Sequence, residues 1–333
     1  MNSDIKDPNI IITDGSHPYQ KEVRLSAHAK INLGLDTVRK REDGYHEVRM
    51  IMQSITLCDC IILRSFESED SNSCNSSDNT DQKNWSPDGI RLCTVKGVHP
   101  DVPMNEENLI YRAILMLKKE FHIPHRIEAV LDKQIPVAAG MAGGSTDAAA
   151  AFKAMNTLFH LGLTDEELQR RAVRLGADIP YCILGGTALS EGIGEILTPL
   201  PNMPDCHILI AKPPINVSTA YVYKNLKANE LSHHPDIDGM VHAIQSQDLN
   251  GIISRLENTL ETVTIPDHPI IRTIKECMTE YGAEGTLMSG SGPTVFGIFT
   301  DEIAVRKAAD AIRAKALSDQ VYITRPVSNN PED

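Results

Sequence analysis

Apolar positions along this chain follow two rhythms, one of period two and one of period near 3.6. Residues 23–35 are apolar and β-prone, which predicts one or two early strands. The polar run 39–44 reads as a turn, and 45–60 as strand again, with Met50, Met52, Ile55 and Leu57 at its apolar positions. Between 65 and 89 Ser, Asn and Asp crowd a stretch almost without aliphatic residues, which predicts a flexible surface loop; strand resumes at 90–98. Leu109, Ala113, Leu115, Met116 and Leu117 give 108–121 helical periodicity. A strand is expected at 126–131 and a helix at about 145–161. Thr164 opens a further helix, with Glu167 three residues on completing a capping-box pattern, and Gly176 suits its end. Further along come strand and turn at 185–195, a proline-rich boundary at 199–204 and a strand at 207–212. Helical patterns follow at 239–259 and 269–281, strands near Thr286 and Thr294, a helix at 301–316 and a last strand at 320–326. Helices and strands alternate without strict βαβ order and no internal repeat is seen, which favours an α+β class.

Length and composition narrow this further. The 333 residues are enough for two domains, and 41% hydrophobic with 23% charged residues fits a globular chain. The first twenty residues lack a basic segment followed by an apolar one, and no apolar run is long enough to span a bilayer, so a cytoplasmic protein without membrane partners is expected. The 7 cysteines are odd in number and form no CxxC pair, as reduced thiols do, and no metal-ligand set is assigned. A net charge of -13, a single Trp and no Lys/Arg cluster argue against a nucleic-acid partner. A phosphorylated ligand would have to be held locally, by a helix N-terminus, one or two lysines and Mg²⁺.

The segment 136–147 is the strongest local signal for chemistry. Its small residues, including Ala139, Gly140, Gly143 and Gly144, let a backbone approach a ligand closely and run directly into a helix, whose first-turn N–H groups favour phosphate. Ser145 and Thr146 add hydroxyl donors. No Lys follows the glycines, so a GxxxxGK[ST] loop is excluded. A Gly-rich turn that merely lets an Ala-rich helix pack tightly would account for the same residues. Asp178, in Gly176-Ala177-Asp178-Ile179-Pro180 just after a helix, suits a cap or solvated turn, or a base that takes a hydroxyl proton. Lys30 lies in an otherwise apolar strand pattern. A strand lysine commonly points to solvent, but beside Asp178 it would keep that carboxylate ionised and offset charge on a transferring phosphoryl group.

Ala29-Lys30-Ile31-Asn32-Leu33, the 136–147 segment and Gly285-Thr286-Leu287-Met288-Ser289-Gly290-Ser291-Gly292 occur in that order. Together they resemble the three motifs of the galacto-, homoserine, mevalonate and phosphomevalonate (GHMP) kinase superfamily. Asp43-Gly44-Tyr45-His46, Gly176-Ala177-Asp178-Ile179-Pro180 and Glu191-Gly192-Ile193-Gly194-Glu195 resemble the branch that serves non-mevalonate isoprenoid synthesis. The likeness covers roughly 25–299.

The resemblance implies an ATP- and Mg²⁺-dependent kinase that phosphorylates the 2-hydroxyl of a small molecule, 4-diphosphocytidyl-2-C-methyl-D-erythritol. It implies Lys30 and Asp178 as catalytic residues. Asn108, Pro136, Ala139, Gly140, Met141, Ala142, Gly143, Gly144, Ser145 and Thr146 would bind nucleotide, and Asn32, Tyr45, His46, Thr219 and Tyr223 the acceptor. Met141-Ala142 stands where the family commonly has Leu and Gly, so Ala142 is expected to keep a negative φ. Tyr181-Cys182 also departs from the common pattern. The implied fold is a two-domain GHMP-kinase-like α+β fold. Residues 1–22 form an extension, 23–203 an ATP-binding domain with a left-handed βαβ unit and the 65–89 insertion, and 204–326 a ferredoxin-like domain. A monomer or homodimer is expected. Another GHMP small-molecule kinase, for homoserine or mevalonate, and a non-catalytic nucleotide sensor are the alternatives.

Overall fold

The computed structural model describes residues 11–14, 19–67, 85–95 and 100–327. Most of the loop expected at 65–89, namely 68–84, lies outside the described residues. The chain forms two compact units that interleave along the sequence. The first takes residues up to Ala27, Asp59–Val137 and Gly144–Ile183; the second takes His28–Cys58, Ala138–Gly143 and everything from Leu184 onward. Two long neighbouring strands, β2 (Lys21–Lys40) and β3 (His46–Phe66), each contribute one end to each unit. The one or two strands expected near 23–35 are thus a single strand of 20 residues.

In the first unit β1 (Ile11–Asp14) pairs antiparallel with the start of β2, Ile11 opposite Arg24. β4 (Ile90–Thr94) runs parallel to β5 (Arg126–Asp132), which pairs antiparallel with the end of β3. The period-two pattern is realised here: Val23, Leu25 and Ala27, Ile61 and Leu63, and Ile127, Ala129 and Leu131 all enter one core. Helices cover that core, chiefly α1 (Leu109–Glu120) with Ile110, Ile114 and Leu117 and α2 (Gly143–Leu158) with its alanine face and Phe152, joined by Leu168, Ala172, Ile179 and Ile183. The capping box expected at Thr164 is present on α3 (Asp165–Ala172), where Thr164 Oγ1 accepts from the Glu167 amide and Glu167 accepts from the Thr164 amide. A short helix, α4 (Ile179–Leu184), begins directly after Asp178.

The second unit contains two sheets. In one, residues 46–53 of β3 pair with β6 (Thr187–Glu191), which turns through 192–195 into β7 (Ile196–Pro199). The other joins β8 (His207–Lys212), β10 (Gly285–Met288), β11 (Val295–Phe299) and β12 (Gln320–Thr324), antiparallel throughout, in the order β10-β11-β8-β12. Between β8 and β10 lie α5 (Thr219–Asn225), α6 (Ile237–Gln245), α7 (Leu249–Ile253), the two-residue β9 (Glu257–Asn258), α8 (Glu261–Asp267) and α9 (Ile270–Glu280). α10 (Glu302–Ala314) links β11 to β12. That β-α-β-β-α-β succession with β8 and β11 central is a split β-α-β arrangement. The helical pattern expected at 239–259 is broken in two. Gln247 adopts a positive φ of 57°, and the Asp248 side chain then accepts from the Gly251 amide and starts α7 afresh.

Candidate active site

β2 is buried without interruption from Ala29 to Thr37, so both its faces are covered there. Lys30 therefore does not reach solvent. It is 5% exposed, and its ammonium donates to Asn32 Oδ1 at 2.6 Å. Asn32, wholly buried, donates in turn to the Met50 sulfur on β3. A buried cation beside a neutral carboxamide lacks a counter-charge from that neighbour, and an incoming anion would supply one.

Two turns close on this lysine within the second unit. The Lys30 amide donates to Met141 O at 3.2 Å, and Ser289 Oγ donates to Gly140 O at 3.1 Å. Gly140 has φ +70°, and a Cβ there would meet Ser289 O at 2.5 Å and Gly292 O at 3.0 Å. Only glycine permits so close an approach of two backbones. A Cβ on Gly290 would lie 3.5 Å from Asn32 Oδ1 and 3.7 Å from Lys30 Nζ, so this turn sits against the buried pair. Three sequence motifs separated by more than a hundred residues at each step thus meet in one place. Asn258 holds the third in shape: its Nδ2 donates to Met288 O and Gly290 O, both at 2.8 Å, and its Oδ1 accepts from Leu260 N. Sequence reasoning passed over Asn258, which falls within the helical pattern expected at 239–259 but lies in the two-residue strand β9.

The expectation for Ala142 is corrected. Its φ is +56°, and Ala138 stands at +52°. Both alanines sit in the left-handed region that favours glycine, so this loop stores backbone strain.

His46 and Tyr223 come together. Their ring centroids are 5.1 Å apart at 33°, and the Nε2 of His46 is buried without a hydrogen-bond partner. Burial, and then the charge of Lys40, hold the His46 imidazole below its usual pKa, so it is neutral at pH 7. The Glu191–Glu195 turn supports it: Gly192 O accepts from Val48 N at 2.8 Å, and Glu195 accepts from Ile193 N at 2.7 Å. Tyr45 is 61% exposed in the turn, where its amide donates to Asp43. Thr219 Oγ1 lies 2.8 Å from Ser291 Oγ, which ties α5 to the third motif.

In the first unit, Pro136 leads toward the loop and Gly144, Ser145 and Thr146 occupy the first turn of α2. Thr146 is buried and Ser145 half-buried. Asn108 caps α1: its Oδ1 accepts from Ile110 N at 2.8 Å, and its Nδ2 donates to Pro103 O at 2.7 Å. Asp178 is half-buried immediately before α4, and its carbonyl accepts from Cys182 N. Among the described residues no group of three or more His, Cys, Asp or Glu side chains is arranged to hold a metal, and no helix is long and apolar enough to cross a membrane.

The model of the GHMP kinases N-terminal domain matches residues 108–186 and that of the GHMP kinases C-terminal domain residues 240–318. The two-domain fold and the paired motifs make this chain a GHMP kinase. A 4-diphosphocytidyl-2-C-methyl-D-erythritol kinase of Lachnospira eligens is 49% identical over 91% of this chain and 98% of its own length. One of Clostridium perfringens is 42% identical over 92% and 99%. The chain belongs to the 4-diphosphocytidyl-2-C-methyl-D-erythritol kinase family. A crystal structure of 4-(cytidine 5'-diphospho)-2C-methyl-D-erythritol kinase has a TM-score of 0.74 at 27% identity, covering 92% of this chain and all of that one. Homoserine kinase from Cytophaga hutchinsonii, at 20% identity and TM-score 0.69 over 94% and 96%, shares the fold.

Proposed function

We propose that the protein transfers the γ-phosphoryl group of ATP to the 2-hydroxyl of 4-diphosphocytidyl-2-C-methyl-D-erythritol. The observation that carries this reading is the convergence on Lys30 of the Gly140 and Gly290 turns, both at positive φ, with Gly140 so close to Ser289 O that no side chain fits there. Residues 136–146 cradle the triphosphate, using the first-turn amides of α2. Lys30 offsets the charge that spreads over the transferring phosphoryl group, and Asn32 fixes the ammonium. Asp178 orients the acceptor hydroxyl and takes its proton. His46, neutral and with an unsatisfied Nε2, reads the cytosine edge, while Tyr223 with Tyr45 and Thr219 walls the base. Asn108 shapes the nucleotide side through its cap on α1. Mg²⁺ would enter with the nucleotide and would neutralise phosphate charge, since among the described residues no group of three or more His, Cys, Asp or Glu is arranged to hold it.

The test is ADP release by the full chain with ATP and Mg²⁺ against four acceptors: the cytidine diphospho-methylerythritol, mevalonate, homoserine and galactose. Turnover on the first alone is expected. Turnover on another acceptor instead would remove the base-reading role of His46, and ATP binding without turnover on any would remove the catalytic roles.

A further inference from the structure

A charged cluster that the reading above does not use is buried in the first unit. Asp59, on β3, has a fully buried side chain. Its Oδ1 accepts from the backbone amides of Gln134 at 2.5 Å and Ile135 at 2.8 Å, and its Oδ2 accepts from the Lys133 ammonium. Lys133 also donates to Asp147 Oδ2 at 3.1 Å. Asp147 belongs to the start of α2, its side chain is 5% exposed, and its Oδ1 is buried without a hydrogen-bond partner.

The connectivity gives this cluster a consequence. Residues 133–135 directly precede loop 136–143, and Asp147 lies four residues past its end, at the start of α2. One carboxylate, one ammonium and a second carboxylate therefore clasp the two ends of the same loop. Two amides on a single carboxylate oxygen, with a lysine on the other, also fix the direction in which the chain leaves β5.

We propose that Asp59, Lys133 and Asp147 are positioning residues that hold the two ends of loop 136–143 together and thereby set its affinity for a nucleoside triphosphate. This rests on the assignment of that loop to the nucleotide phosphates.

Charge in the cluster bears on the same affinity. Two carboxylates against one ammonium would leave a buried negative charge behind the helix N-terminus that receives a polyanion. The titratable groups facing Asp147 are Lys133, from the segment after β5, and Asp59, from β3. Burial pushes the Asp147 carboxyl well above its ordinary range; Lys133 opposes this and Asp59 adds to it. Lys133 keeps its charge, since Asp147 and Asp59 outweigh the effect of its burial. The raised pKa keeps the proton on Asp147 to higher pH than on an ordinary carboxyl. As pH rises through it, the proton leaves and the cluster gains a negative charge. Stability falls over the same interval, because the folded state binds the proton more tightly than the unfolded state does.

Titration calorimetry of the full-length protein with a non-hydrolysable ATP analogue, across the whole pH range over which wild type and variants stay folded, tests this. Ionisation of the analogue is common to all variants and cancels in ratios of Kd. The ratio of wild-type Kd to that of Asp147→Asn is expected to rise several-fold with pH, since the amide cannot ionise. Asp59→Asn is expected to weaken binding at least tenfold, with the ATP KM rising by more than kcat falls. A ratio flat with pH, or Asp59→Asn within twofold of wild type, would overturn the proposal; a purely structural cluster would lower Tm and leave the ratio flat. If Asp59→Asn does not fold, the isosteric Asp147→Asn series decides. Absence of analogue binding by the wild type would overturn the loop assignment, and the cluster's role with it.

Discussion

Ala142 stands at φ +56°, a conformation that glycine adopts without steric cost. A left-handed alanine loses about 1–2 kcal/mol against its ordinary conformation, while glycine loses roughly 0.4–1 kcal/mol more entropy on folding. The difference favours Ala142→Gly by on the order of 1 kcal/mol. The expected result is a Tm raised by on the order of 2 °C, read by calorimetry. A lowered Tm would mean that contacts of the alanine methyl hold the loop, and that its backbone is not the strained element. The sequence poses this question but does not answer it. It shows an alanine at 142 but not the sign of its φ, which local composition does not dictate. The same holds for Lys30. Its motif is legible in the sequence, but its burial is not, because burial follows from covering both faces of β2, and those covers come from distant parts of the chain.

Elements with strong local chemistry were read well, and those made by tertiary contact were not. Thr164 and Glu167 form their reciprocal cap where the pattern places it. α1 begins one residue inside its expected range, with Asn108 as its cap. Such signals reside in four consecutive residues and need no partner from elsewhere. By contrast α5, which carries Thr219 and Tyr223, is a seven-residue helix too short to show periodicity, and the 239–259 pattern conceals a break at Gln247. Of the candidate site, the two glycine-rich motifs are legible because close backbone approach demands glycine, and the Lys30 motif because a lysine interrupts an apolar strand pattern. Asn258, Asp59 and Lys133 are not, because an isolated polar residue does not reveal which backbone it satisfies. The cap allows a measured check. Thr164→Ala is expected to destabilise the protein by about 1 kcal/mol in urea unfolding with m unchanged. The ATP KM should stay the same, since α3 follows the loop-bearing helix and contributes no expected ligand. A loss below about 0.3 kcal/mol would mean that α3 is held by packing alone.

Charge belongs to the whole molecule. At a net charge of -13, the protein presents a net repulsive field to ATP and to a cytidine diphosphate acceptor, both polyanions. The groups proposed to receive them, a buried lysine and the first-turn amides of α2, act over a few ångströms. Capture is therefore short-range and approach is opposed. Salt screens the long-range part first, with a Debye length near 30 Å at about 0.01 M falling to about 8 Å at 0.15 M. The kcat/KM for ATP is therefore expected to rise, by about two- to threefold, as ionic strength increases from about 0.01 to 0.15 M at fixed free Mg²⁺. Steady-state kinetics measures this directly, with the kcat of the saturated enzyme as internal control. A steep fall over that range would show that the site projects a positive field outward, and would shift the weight of phosphate recognition from local amides to exposed lysines and arginines. A rise confined to kcat/KM, with kcat constant, would place the effect on encounter and leave the phosphoryl-transfer roles proposed for Lys30 and Asp178 untouched.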